Sequence, residues 1–209
     1  MISSVAVLLF GDQQPRSLEG LPSHRVAGPA DIDTAIGPHR RLAVVGADAD
    51  LAAVLTRLLR AERLDIEVAY APRRRTAATR IYRLPAGRRA SRRIRTGTAR
   101  RAPLIRDETG SVIVGRAQWL PADAQSLRGE AVVDDTVLFD GHVTGVRVEP
   151  TLSLPGLRAR VDGRRRWIAG RAVQLGSTGV AVVRDGVPAP RTARRSTFYR
   201  NVEGWLAVR

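Results

Sequence analysis

Arg40-Arg41-Leu42-Ala43-Val44-Val45-Gly46-Ala47-Asp48-Ala49-Asp50, running into Leu51-Ala52-Ala53-Val54-Leu55-Thr56-Arg57-Leu58-Leu59, is the stretch on which the fold turns. The first block is a short apolar run of strand length, and Leu51, Val54, Leu55, Leu58 and Leu59 recur at helical spacing. The turn between them carries an aspartate where a buried strand delivers its side chain to a cleft. That is the layout of a phosphate-handling loop, yet Ala47 and Ala49 stand where such a loop needs glycine for close approach to the backbone. The question set by the sequence is therefore whether the chain is a working enzyme or a fold kept without the chemistry.

Outward from this centre, Ile2 to Phe10 is a continuous apolar run closed by Gly11-Asp12, which predicts a buried strand. Gln13 to Pro29 holds three prolines and reads as loop, and Ala30 to Ile36 as a short helical turn. Leu64 to Ala69, closed by Pro72, is a third strand. Strand, loop, helix and strand at this spacing make a βαβ unit, and so a parallel sheet. Beyond Pro103 the pattern is β, with strands expected over Gly110–Gly115, Glu130–Val133, Val137–Phe139, Val143–Val148, Leu157–Val161, Ala172–Leu175 and Val180–Val183. Asp140-Gly141, Asp162-Gly163 and Asp185-Gly186 read as turns, and no helix is expected after about residue 100. The fold class is an α/β N-terminal domain with a parallel sheet, followed by an antiparallel β-sandwich-like domain. The expected division is 1–85 and 86–209, with Trp205–Val208 returning as a strand to the first domain.

The 209 residues carry a net charge of +15, and none of the 35 basic residues is lysine. Arginine keeps its charge and offers a planar fork to carboxylates and phosphates. The density peaks between Arg73 and Arg101, where twelve arginines stand without one Asp or Glu. This segment suits phosphate groups of nucleic acid or lipid headgroups, or is a solvated surface reflecting arginine codon usage. Only Tyr82 is interleaved with it, which gives base stacking little support. There is no cysteine, so thiolate metal sites and cysteine nucleophiles are excluded. With no apolar stretch long enough for a membrane span and no signal-like leader, the chain reads as cytoplasmic, with contact at the inner face of the membrane as an option.

Among candidate sites, Asp48 and Asp50 are either caps of the following helix or ligand-facing residues at a helix N-terminus. Asp134, Asp135, Asp140 and His142 form the densest acid and histidine cluster. They read as residues of two hairpin turns rather than as a metal site. His24 and His39 have no paired ligand nearby in sequence. Ser177, in Gly176-Ser177-Thr178-Gly179, reads as a turn residue rather than a nucleophile, because no strand-to-helix step follows it.

Three segments in order resemble the diacylglycerol kinase catalytic family, whose fold is shared in outline with the NAD kinases. Val44-Val45-Gly46-Ala47-Asp48-Ala49-Asp50 sits where that family has Gly-Gly-Asp-Gly-Thr. Ala71-Pro72 through Thr76-Ala77, then Leu84-Pro85, is similar to its second loop, Pro-x-Gly-Thr-x-Asn-Asp-Phe-Ala. Gly170 to Leu175, Arg184-Asp185-Gly186-Val187-Pro188 and Glu203 to Val208 resemble its closing hairpins and returning last strand. The resemblance implies a cleft between two domains, with Asp48 as the catalytic position and Gly46, Asp50, Arg75 and Thr76 as cofactor-binding positions. No metal site is assigned. The departures are concurrent: only Gly46 and Asp48 survive of the first loop. Arg75, Ala78 and Thr79 stand at the second loop's glycine, asparagine and aspartate, and Val187 at the closing glutamate. Phosphoryl transfer depends on positioning and charge neutralisation, so losing several parts together argues for a degenerate kinase. The leading reading is a lipid-kinase-like protein binding an anionic phospholipid or nucleotide in or near the cleft. The alternatives are a divergent active lipid kinase using ATP and Mg²⁺, and a basic nucleic-acid-binding protein.

Overall fold

The computed structural model describes residues 5–11, 14–37, 39–123 and 125–209. Ile2–Ser4 and Asp12 of the expected first strand and its closing turn lie outside the described residues. In chain order the elements begin with β1 (Val5–Leu9), β2 (Ser23–Arg25), α1 (Pro29–Ile36), β3 (Arg41–Val45), α2 (Asp48–Arg60) and β4 (Glu67–Tyr70). α3 (Ala77–Ile81), α4 (Gly87–Thr96) and β5 (Ala99–Ala102) follow. Next come β6 (Ile105–Asp107), β7 (Val112–Ile113), β8 (Ala117–Pro121), β9 (Leu127–Val133), β10 (Thr136–Val143), β11 (Val146–Pro150) and β12 (Leu157–Val161). The last are β13 (Ile168–Gly170), β14 (Ala172–Arg184), β15 (Val187–Pro188), β16 (Ala193–Arg200) and β17 (Trp205–Val208). No helix among the described residues is long and apolar enough to cross a membrane.

The chain divides into two compact units, one of residues 1–102 with 203–209 and one of residues 103–202. The division expected at residue 85 thus differs from the observed one: α4 and β5 belong with the first unit. The reason is that α4 buries Ala90 and Ile94 in the same apolar cluster as Val7, Ala43 and Ala69, and that β5 pairs with β17.

The first unit is built on a six-stranded sheet of order β2-β1-β3-β4-β17-β5. β1, β2, β3, β4 and β17 run parallel and β5 antiparallel at the edge. The sequence explains the centre directly: Leu42, Ala43 and Val44 are buried on both faces, as strands of a covered parallel sheet must be. α2 packs Leu51, Val54, Leu55 and Leu58 inward, with acids in its first turn and Arg57 and Arg60 in its last, matching the helix dipole. α4 ends on Arg41, which donates to the carbonyls of Ile94 at 2.7 Å and Gly97 at 3.0 Å and to Glu67 Oε2 at 2.6 Å. One guanidinium therefore joins β3, β4 and the carbonyl-rich end of α4. The span expected to be loop, 13–29, contains β2, a three-residue edge strand ordered by its pairing with β1.

The second unit is an antiparallel sheet of order β13-β12-β11-β8-β14-β16-β6-β7, with β9 and β10 joined through β14. Its core packs Trp119 against Phe198 at 5.8 Å between ring centroids, and the Trp119 indole donates to Ser196 Oγ at 3.0 Å. Two turn readings are corrected here. Asp140-Gly141 lies inside β10, paired with Glu130 and Gly129 across the strand. Gly176-Ser177-Thr178-Gly179 is not a turn: β14 runs through it, with a shift in its pairing to β16 between Gly176 and Val180. By contrast Asp185 and Gly186, with φ of 48° and 88°, form the two-residue turn between β14 and β15.

Candidate functional site

The carboxyl ends of β1, β3 and β4 share one edge of the parallel sheet. The strand order 2-1-3-4 reverses between β1 and β3, the position beside which ligands bind in open α/β sheets. β3 reaches this edge at Val45 and passes through Gly46 and Ala47 into α2. A Cβ on Gly46 would overlap the Asp50 carboxylate and lie 3.0 Å from Asp50 Cβ, so glycine is required by close approach.

The two acids of the loop have different roles. Asp50 is the cap: its Oδ2 accepts the Ala47 N–H at 2.7 Å. Burial raises the Asp50 carboxyl above the usual carboxylate range, opposed by that backbone hydrogen bond. Asp48 does not cap its own helix. Its Oδ1 accepts from the Tyr70 hydroxyl at 2.9 Å, and its Oδ2 accepts from the Ala78 N–H at 3.1 Å. Asp48 thus joins three segments: the loop after β3, the end of β4 and the first turn of α3. Burial, then the Asp48 charge and hydrogen bond, push the Tyr70 hydroxyl far above the ordinary tyrosine range, and Thr76 bonds the same hydroxyl.

Thr76 is itself the cap of α3. Its Oγ1 accepts the Thr79 N–H at 3.2 Å, and Thr79 Oγ1 accepts the Thr76 N–H at 2.8 Å, a reciprocal capping arrangement. Arg75 precedes it and is exposed, as are Arg73 and Arg74. The structure therefore brings Asp48 and Thr76 together on Tyr70, places Gly46 and Asp50 in contact one turn away, and leaves Arg75 at the surface. Tyr70 is the member that the sequence reading did not single out. Its signal was available: a tyrosine ends the strand parallel to the one that feeds Gly46 and Asp48.

The other candidate clusters disperse. Asp134 accepts the Arg171 and Ala172 N–H groups at 2.9–3.0 Å, tying the turn after β9 to the start of β14. Asp140 and His142 lie in β10 rather than in a second hairpin turn, and His142 Nδ1 meets Ser126 Oγ at 3.1 Å. His24 and His39, apart in sequence, pack edge to face with centroids 6.1 Å apart. Among the described residues no three His, Asp or Glu side chains converge as a metal-holding group.

No family model matches the chain, and no curated protein matches it in sequence. Solved structures do match. A diacylglycerol kinase from Bacillus anthracis superposes with a TM-score of 0.73 at 10% identity, over 99% of this chain and 96% of that one. An NAD kinase from Archaeoglobus fulgidus in complex with ATP gives 0.67 at 11% identity, over 98% and 93%. Yeast NADH kinase complexed with NADH gives 0.59 at 11%, over 91% of this chain and 67% of that one. At such identities the likeness is one of fold. The chain has the fold of the diacylglycerol and NAD kinases, with a mostly parallel α/β unit and an antiparallel β unit.

Proposed function

We propose that this chain is a kinase-fold protein that binds an anionic, phosphate-bearing ligand at the carboxyl edge of its six-stranded sheet and does not transfer phosphate. One observation carries the reading: both oxygens of Asp48 are already directed at protein donors, Tyr70 and Ala78. A carboxylate that manages a metal or an attacking hydroxyl must aim its lone pairs at the ligand; this one ties loops together. ATP with Mg²⁺ in a transferring arrangement does not fit the residues present. The loop's Ala47 N–H is taken by Asp50. Two carboxylates at the start of α2 repel a bare phosphate. The anion is met instead by Arg73, Arg74 and Arg75 on the loop that leaves β4, in front of Thr76 and α3.

Two measurements test this. Calorimetric titration with ATP, NADP⁺ and vesicles containing phosphatidic acid should find salt-sensitive binding to at least one, lost in R73Q/R74Q/R75Q. Incubation with γ-labelled ATP, Mg²⁺ and either diacylglycerol or NAD⁺ should give no labelled product. Robust product that vanishes in Asp48→Ala would replace this reading with that of a divergent active kinase. Absence of binding to all three probes would end it.

A further inference from the structure

In the second unit, β11 and β12 alternate buried and outward residues. Val146, Val148, Leu157, Ala159 and Val161 are buried, while Arg147, Glu149, Arg158 and Arg160 share the opposite face. Arg147 and Arg160 stand directly opposite each other in the pairing. Trp167, at the end of the β12–β13 turn, lies over this face: the Arg158 guanidinium carbon is 4.3 Å from its ring centroid and that of Arg160 4.6 Å. The turn contributes three consecutive exposed arginines, Arg164, Arg165 and Arg166. Two acids answer these six arginines. Glu149 Oε2 holds Arg158 at 2.7 and 3.1 Å, and Asp162 lies 3.5 Å from Arg147. Arg160, whose Nε is buried without a hydrogen-bond partner, is held by the ring.

We infer that this face binds single-stranded nucleic acid. Sequence-tolerant recognition of single strands needs positive charge along the backbone path and planar groups on which bases stack. Arginine planes and a tryptophan ring both supply stacking surfaces, and the exposed Arg164–Arg166 supply charge. A lipid surface is the weaker match, because insertion needs exposed apolar side chains. None of the large exposed ones, Val137, Leu154, Val187 and Val202, lies in the arginine turn. A duplex is the weaker match because its bases are already stacked. The site belongs to the second unit and the carboxyl edge of the parallel sheet to the first, and the inference does not rest on the function proposed there.

Trp167 also reports on the site. The other tryptophans, Trp119 and Trp205, are buried, so quenching by an added oligonucleotide comes from Trp167. Titration of the full chain with a fluorescent dT₂₀ and an unlabelled rU₂₀ should quench tryptophan emission at saturation, and Trp167→Phe should abolish the quench. Trp167→Ala, checked for an unchanged melting temperature, should weaken binding roughly tenfold, the range for loss of one stacked base. R164Q/R165Q/R166Q should reduce the slope of log affinity against log salt by about 2, from roughly 0.7 per phosphate contact on a single strand. Binding of equal strength in Trp167→Ala, or emission unmoved by saturating oligonucleotide, would overturn the inference. So would equal quenching by a duplex or by phosphatidylglycerol vesicles at the same charge concentration.

Discussion

The Tyr70 hydroxyl donates to Asp48 Oδ1 at 2.9 Å, joining the end of β4 to the start of α2 across 22 residues of sequence. Tyr70 is buried and its hydroxyl has this carboxylate as acceptor. Tyr70→Phe keeps the packing and removes the donor, leaving one oxygen of a half-buried carboxylate unanswered. It should cost about 1–3 kcal/mol, read from the urea midpoint at neutral pH. An unchanged midpoint would show that solvent replaces the hydroxyl without loss.

The same hydroxyl gives the protein an alkaline limit. Tyr70 keeps its proton in the folded state well above its ordinary value of 10.0, through burial first and the Asp48 charge second. Below about pH 10 both states are protonated and the contribution is fully present. Above it the unfolded state ionises while the folded state does not, so stability falls as pH rises. The urea midpoint between pH 8 and 11 should decline more steeply for the wild type than for Tyr70→Phe. Parallel declines would remove Tyr70 as the cause.

Gly46→Ala should destabilise by about 1–3 kcal/mol, because the new methyl group overlaps the Asp50 carboxylate. In an Asp50→Ala background the same substitution should cost clearly less, since the clash is gone. A double-mutant cycle measures this non-additivity. Strict additivity would mean that the loop relaxes elsewhere.

Asp185 accepts the backbone N–H groups of Val114, Gly115 and Arg116 at 2.7–2.9 Å while sitting at a positive φ. Asp185→Ala removes three acceptor contacts and adds strain, and should cost roughly 2–4 kcal/mol. Asp185→Asn keeps one oxygen and tolerates the left-handed backbone, and should cost less. Equal losses would point to the charge itself rather than to geometry.

The strand–loop–helix–strand of the first unit was legible because Leu42 to Val45 form an unbroken apolar run and α2 repeats leucine at helical period. α4 was not, because half of its ten residues are arginine. Only Ala90, Ser91 and Ile94 face inward, too few to set a period. The strand through Gly176–Gly179 was hidden because glycine, serine and threonine are turn residues locally, and only neighbouring strands hold them extended. The site divided in the same way. Gly46, Asp48 and Thr76 stand out along the chain. The bonds that decide what Asp48 does come from Tyr70 and Ala78, and no local pattern reports a partner 22 or 30 residues away.

β17 lies between β4 and β5 and buries Trp205 against Tyr82, with ring centroids 5.3 Å apart. During synthesis the strand that closes the first-made unit is therefore made only after the whole of the second unit. Until Val208 emerges, β4 and β5 each present an unpaired edge, while residues 103–202 already hold every strand of their own sheet. A nascent or prematurely released chain would therefore carry a finished β unit beside an open parallel sheet. Such edges pair with other chains, which makes the completed sheet a check that translation has passed residue 208.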